Sequence, residues 1–197
     1  MKKTQRLAAQ LFIAVASLAA VAGAHAQASS KSMYAPGGSY IGLAAGESDF
    51  SLGNGTGLFG SDNKDTSYSI RAGGYFTSNL GMEIGYTDFG SVSRAGGSTK
   101  ADGFNVSLIG KLPVSPSFNL LGKIGTTYGR TDVSARVGSG VASGSESGWG
   151  LAMGLGAEYM ITPQWSAVLQ YETHDMKFAG SDNQRVNTTN LGVRYNF

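Results

Sequence analysis

The chain predicts an all-β fold: an eight-stranded antiparallel up-and-down transmembrane β-barrel. Three observations lead there. Apolar residues alternate with small or polar ones in stretches of about ten residues, the connections between these stretches alternate long and short, and the face opposite the apolar one is built mostly from Gly, Ala, Ser and Asn.

The first residues stand apart from this pattern. Lys2, Lys3 and Arg6 precede an apolar run from Leu11 to about Val21 and a small-x-small end at Ala24-His25-Ala26, which is the layout of a cleaved export signal spanning 1–26. The apolar run falls short of the ~20 residues that a spanning helix requires. A polar lead follows over 27–38, and the barrel is assigned to 39–197. Removing the signal leaves 12 basic against 13 acidic residues, so no excess of positive charge favours nucleic acid as a partner. Charged residues make up only 14% of the chain, against roughly 25% in an average soluble protein. With no cysteine, a disulfide framework, a thiolate zinc site and a cysteine nucleophile are all excluded.

Strands are expected near 39–50, 66–76, 80–89, 102–112, 118–132, 147–161, 164–177 and 186–197. Helical spacing is sustained nowhere after the signal. SLGNGTGLFGSDNKD, GSVSRAGGSTKA and VSARVGSGVASGSES read as long loops, TSN, PVSPS and TP as short turns, and AGSDNQR as intermediate. Neighbouring up-and-down strands joined in this way put the tight turns at one end and the long loops at the other, as in bacterial outer-membrane barrels.

Parity assigns the faces. Tyr68, Ile70, Ala72 and Phe76 oppose Ser69, Arg71, Gly73 and Tyr75; Leu80, Met82, Ile84 and Tyr86 oppose Gly81, Glu83, Gly85 and Thr87. In the sixth strand Trp149, Leu151, Met153, Leu155 and Tyr159 oppose a row of glycines, Ala152 and Glu158, and in the last Leu191, Val193, Tyr195 and Phe197 oppose Asn190, Gly192, Arg194 and Asn196. A soluble β-sandwich shows the same alternation with its apolar face inward. Its wet face, however, would carry Lys, Glu and Thr. The interior of an eight-stranded barrel is only wide enough for side chains to fill it, which accounts for the glycines. Tyr68, Phe76, Tyr86, Phe104, Phe118, Tyr128, Trp149, Tyr159, Trp165 and Tyr171 lie near strand ends, where interfacial aromatic girdles belong.

GAEYMITPQWSAVLQYE, LGMEIGYTDFG, SYIGLAAGESDF and the terminal LGVRYNF resemble the OmpA-like family of small outer-membrane barrels, and the likeness runs from about Ser39 to Phe197. The resemblance implies a surface or structural role and no enzymatic activity. Many members also carry a C-terminal peptidoglycan-binding domain; this chain ends with the eighth strand, and that role is not carried over. The ion-pair cluster in the lumen of the member that names the family is matched at Glu83, Lys111 and Glu158, with Lys123 standing at another basic position. Val168 and Gln170 fall where its seventh strand has an arginine and a glutamate, so Arg71 or Arg194 is expected to supply the missing cation.

By parity the lumen collects Arg71, Lys111, Lys123 and Arg194 with Glu83, Glu158 and Glu172, and buried charges persist only when paired. Such a lattice is either a filled core or a narrow gated path for ions. Glu172, toward the outer end, is expected to be solvated. Tyr195 and Phe197 resemble the terminal aromatic signal read by the barrel assembly machinery. His174, with Glu172 and Asp175, imitates the acid-base set of a lipid A deacylase barrel, although Ser166 lies outside its expected reach. GNGTG and GSGVASGSESG lack the context of a phosphate loop, and SDNKD lacks the later glutamate of a calcium loop. No catalytic residue, cofactor or metal is assigned. The expected partners are outer-membrane lipid and lipopolysaccharide, the assembly machinery and periplasmic chaperones, and an extracellular ligand met by the loops. Transport, through a pore or by a lateral route as in OmpW-like barrels, is the competing function.

Overall fold

Eight strands form, each hydrogen-bonded to its sequence neighbours, in a computed structural model that describes residues 38–50, 64–94, 97–135, 143–178 and 181–197. They are β1 Ser39–Phe50, β2 Lys64–Tyr75, β3 Leu80–Arg94, β4 Gly97–Ser115, β5 Phe118–Ala135, β6 Gly144–Met160, β7 Trp165–Phe178 and β8 Ser181–Asn196. The sheet closes where β1 pairs antiparallel with β8, from Tyr40 opposite Asn196 to Phe50 opposite Val186. Closure matters because hydrocarbon offers no hydrogen bonds to an open edge. The proposed export segment, most of the polar lead, GNGTG and much of GSGVASGSESG lie outside the described residues.

Period two becomes two environments. Along β4, Thr99, Ala101, Asn105, Ser107 and Ile109 are buried, while Phe104, Leu108 and Leu112 face out. The outward set of large apolar side chains continues round the barrel and includes Leu155, at 73% the most exposed of them, with Leu43, Ile124, Leu169 and Leu191. A soluble monomer does not expose so continuous an apolar surface.

At one end the connections are tight, and two of them use the same device. Phe76 and Thr77 donate their N–H groups to the Leu80 carbonyl, while the Thr77 hydroxyl accepts from the Leu80 N–H. Ile161 and Thr162 repeat this with the Trp165 carbonyl and the Thr162 hydroxyl. Both chain ends of the barrel lie here too, since Phe197 N–H donates to the Ser39 carbonyl. Short turns mark this end as periplasmic.

The opposite end differs from the expectation of long loops. GSVSRAGGSTKA is mostly strand: Val92, Ser93 and Arg94 pair with Thr99, Ser98 and Gly97. Likewise β5 and β6 stay paired as far as Val133 and Gly144, and β7 and β8 as far as Phe178 and Ser181. Above the membrane a strand needs no apolar face, so Gly and Ser there suggest a loop while the backbone ladder simply continues. A bulge at Gly90 (φ 81°), whose N–H is accepted by Asp88, bends β3 within this extension.

The upper end of β7 leaves the wall. Pairing of β6 with β7 stops at Ala152 and His174, after which β7 crosses the inner face of β6. The Thr131 hydroxyl of β5 donates to the Lys177 carbonyl at 2.7 Å, and Met176 lies against Gly103 and Gly129. A Cβ at Gly150 would overlap the Asp175 carbonyl, so this crossing requires glycine.

Close strand contact also makes Gly46 indispensable, because a Cβ there would overlap the Thr189 carbonyl. Gly122, on the outer face, has nothing within 4 Å of its ideal Cβ position. Gly46→Ala is therefore expected to lower the temperature at which the folded, fast-migrating gel form is lost. Gly122→Ala should leave that temperature unchanged.

Candidate functional site: the closed lumen

Inward-facing charges form one ladder that rises through the barrel. At its base the Glu158 carboxylate accepts from Ser166 Oγ (2.9 Å) and Asn119 Nδ2 (3.0 Å) and pairs with Arg194 (3.1 Å). Arg194 lies over the Tyr40 ring, 3.8 Å from its centroid, and reaches Glu83 at 3.4 Å. Glu83 also accepts from Tyr40 Oη at 2.6 Å and pairs with Lys123 at 2.6 Å. Lys123 and Arg71 then both engage Glu172, Arg71 at 2.7 Å. At the top His174 Nδ1 lies 2.8 Å from Thr127 Oγ1, and its Nε2 is 3.8 Å from Glu172.

Each strand contributes by parity, so strand order fixes the sequence of charges. No member from Glu158 to His174 is more than 9% exposed. Taking such groups out of water costs several kcal/mol each, and each carboxylate recovers this only by meeting more than one donor. Glu83 is fully buried and meets Lys123, Arg194, Tyr40 and, at 3.9 Å, the Nε of Arg71.

Apolar side chains close the lumen at both ends, which alternation alone does not reveal. Tyr40, Tyr75, Ile109, Leu121 and Val168 surround the foot of the ladder. Above His174 lies a second cluster: Phe50, Phe89, Val92, Ala101, Met176 and Val186. Phe89 meets the His174 ring edge-on at 5.1 Å. A signal for these clusters exists in hindsight. Phe50, Phe89 and Met176 break the small-or-polar character of the inward face near strand tops.

The sequence-assigned residues separate as follows. Arg71, Glu83, Lys123, Glu158 and Arg194 meet in the ladder. Lys111 faces the same way but lies lower and half-buried, its ammonium 4.2 Å from the Tyr75 ring centre. The expectation that Glu172 is solvated is corrected, for it is 2% exposed and held by two cations. Arg71 and Arg194 both enter the network, Arg71 beside Gln170, whose carbonyl accepts from its guanidinium. Tyr68, Phe104, Tyr128, Trp149 and Tyr171 are exposed toward the upper end, with Tyr86 half-buried among them. Phe76, Tyr159 and Trp165 are exposed toward the lower. Trp165, Tyr195 and Phe197 stack in succession at the closing seam, with centroids 5.0 and 5.2 Å apart.

The acid-base set imagined around His174 does not assemble. Ser166 is at the opposite end on Glu158, and Asp175 turns to Arg185 at 3.4 Å. In SDNKD, Lys64 pairs with Glu47 and Asp65 caps the Ser91 N–H. Among the described residues no group of three acidic or histidine side chains is placed to hold a metal ion.

A closed sheet with an apolar exterior, aromatic ends and a filled ionic interior defines a small transmembrane β-barrel. The chain belongs to the family described as outer membrane protein beta-barrel domain, whose model matches residues 13–197. Its fold is similar to that of Ail, the attachment invasion locus protein of Yersinia pestis (21% identity, 83% of this chain and 100% of that one, TM-score 0.56). It is also similar to Neisserial surface protein A (17%, 81% and 97%, TM-score 0.58) and to OprG of Pseudomonas aeruginosa (18%, 82% and 96%, TM-score 0.51). No curated protein sequence matches the chain.

Removing one partner of a buried ion pair costs about 3–5 kcal/mol. Glu83→Gln is expected to destabilise the barrel by that amount in detergent unfolding, because Lys123 and Arg194 lose their shared carboxylate. Combined with Arg194→Gln, the loss should be smaller than the sum of the two single losses.

Proposed function

We propose that the protein is a non-enzymatic outer-membrane component whose function lies at the cell surface, in structural support of the envelope and in contact with external molecules. The observation that carries this reading is a division of the barrel. The lumen is occupied by paired charges between two apolar clusters, while β3 to β6 stay paired well past the outer aromatics Phe104, Tyr128 and Trp149. A filled lumen does not conduct. A sheet raised above the lipid offers a rigid surface.

The chemistry of that surface narrows the ligand class. Outward charges above the aromatic belt alternate in sign, as in Lys64 with Glu47, Arg130 with Asp132 (3.4 Å) and Arg185 with Asp175. The Ail structure holds a heparin analogue, sucrose octasulfate. Here the bases are already partnered by acids, which favours a protein surface or the mixed headgroups of lipopolysaccharide over a uniform polyanion. Tyr195 and Phe197 are proposed to serve as the assembly signal, and export to use the 1–26 segment with the help of periplasmic chaperones.

A lateral route for small hydrophobic molecules is the second reading, favoured by one feature: the ladder between β6 and β7 ends at Ala152 and His174, leaving the upper part of β6 without that neighbour.

Two measurements on the intact protein separate the readings. Planar bilayers should show no conductance steps, and membrane vesicles no accelerated uptake of an apolar dye. Cells producing the barrel should bind host-cell matrix or serum protein. That binding should fall when Val133 is joined to Gly144 by an Asn-Gly turn, with the amount of folded barrel unchanged. Steady conductance, dye uptake, or binding indifferent to the shortened hairpin contradicts the proposal.

A further inference from the structure

The ladder leaves a set of buried donors without acceptors, and these donors converge on one place. A cavity of about 20 Å³ lies against the inner wall at the closing seam, bounded by Gly42 and Ala44 of β1, Gly192 and Arg194 of β8, Arg71 of β2 and Gln170 of β7. None of the three ladder carboxylates borders it. Arg71, Gln170 and Arg194 are all at least nine-tenths buried. Arg71 Nε and Gln170 Nε2 have no hydrogen-bond partner. The orientation of the Gln170 amide is not arbitrary, because its carbonyl oxygen accepts from Arg71 and its NH2 must then point elsewhere. The nearest alternative acceptor for Arg71 Nε is Glu83 Oε1 at 3.9 Å, beyond hydrogen-bond range.

We propose that this cavity binds a single small anion of chloride size, which accepts from Arg71 and Gln170 beside the Arg194 guanidinium and so clips β1 and β8 to β2 and β7 across the barrel seam. Water satisfies such a site less well. A water molecule brings two protons that need acceptors of their own, and the side chains that border the cavity offer donors. A halide only accepts, and hydrogen bonds from charged donors are roughly twice as strong as neutral ones. Size completes the selection: a site needs about 10–15 Å³ of such volume for one water-sized occupant, so a monatomic anion fits and a tetrahedral phosphate or sulfate does not. The cavity is the one place where the two arginines of the ladder, which have separate carboxylate partners in Glu172 and Glu158, border a common space. An anion there links the upper and lower halves of the network.

The test compares unfolding temperatures of the detergent-folded barrel in chloride, bromide and gluconate at equal ionic strength. The expected result is a saturable rise in chloride and bromide relative to gluconate, since a ligand of the folded state alone stabilises by mass action. Screening of ion pairs would act alike in all three salts.

Two variants address the site. Gly42→Ala places a methyl group at the cavity wall, its nearest neighbour being the Val193 carbonyl at 3.3 Å, and should abolish the halide-dependent rise. Gln170→Glu supplies a resident carboxylate and should make stability independent of halide while the barrel still folds, which covers the case in which Gly42→Ala does not. Diffraction from crystals grown in bromide should place an anomalous peak beside Arg71 Nε. Equal unfolding temperatures in all three salts, a halide effect that survives in Gln170→Glu, or an ordered water without bromide at that position would each overturn the proposal.

Discussion

Hydrocarbon accepts no hydrogen bonds, and the pairing of β1 with β8 is the answer on which the rest of the structure depends. Once Tyr40 to Phe50 lie against Val186 to Asn196, every strand within the membrane has two neighbours and no edge faces lipid. The alternation of residues then has only one way to divide. One row meets acyl chains, and the other is forced into an interior too narrow for anything but itself.

That interior explains the chemistry. Eight strands enclose space for side chains and little more, so an inward charge is desolvated whatever its identity and must find partners across the lumen. The ladder from Glu158 to Glu172 follows, with each carboxylate shared between donors from different strands. Because those donors come from β2, β5 and β8, the ion pairs also fix how distant parts of the wall sit relative to one another. The apolar clusters above and below protect the ladder from water, which would weaken it by raising the local dielectric. The same crowding accounts for the glycines at Gly46 and Gly150, where neighbouring backbone occupies the space of a Cβ.

Much of this was legible from residue order. The membrane-crossing strands, their faces and the closed all-β class follow from a period of two and from tight turns such as Ile161-Thr162-Pro163-Gln164. The extents of the strands at the outer end were not legible, because hydrophobic alternation stops where lipid stops, whereas hydrogen bonding between Arg94 and Gly97 or Val133 and Gly144 does not. Parity placed Arg71, Glu83, Glu158 and Arg194 on the inner face but said nothing of height or partner. Glu172 was therefore read as solvated when two cations reach it. The inward turn of β7 was hidden for a related reason: it depends on what Gly148 and Gly150 lack, and a glycine in a barrel strand reads equally as crowding, bulge or loop.

The central claim is that acyl chains lie outside the wall and a dry, paired interior lies within. Lacking native cysteine, the chain accepts single spin labels cleanly, and the direct measurement is their accessibility in reconstituted bilayers at Leu155→Cys, Ile84→Cys and Ser145→Cys. The account predicts that labels at the first two positions collide with dissolved oxygen and are shielded from a water-soluble nickel chelate, whereas the label at the third is open to the chelate. Free access of the chelate at Leu155 and Ile84 would contradict it.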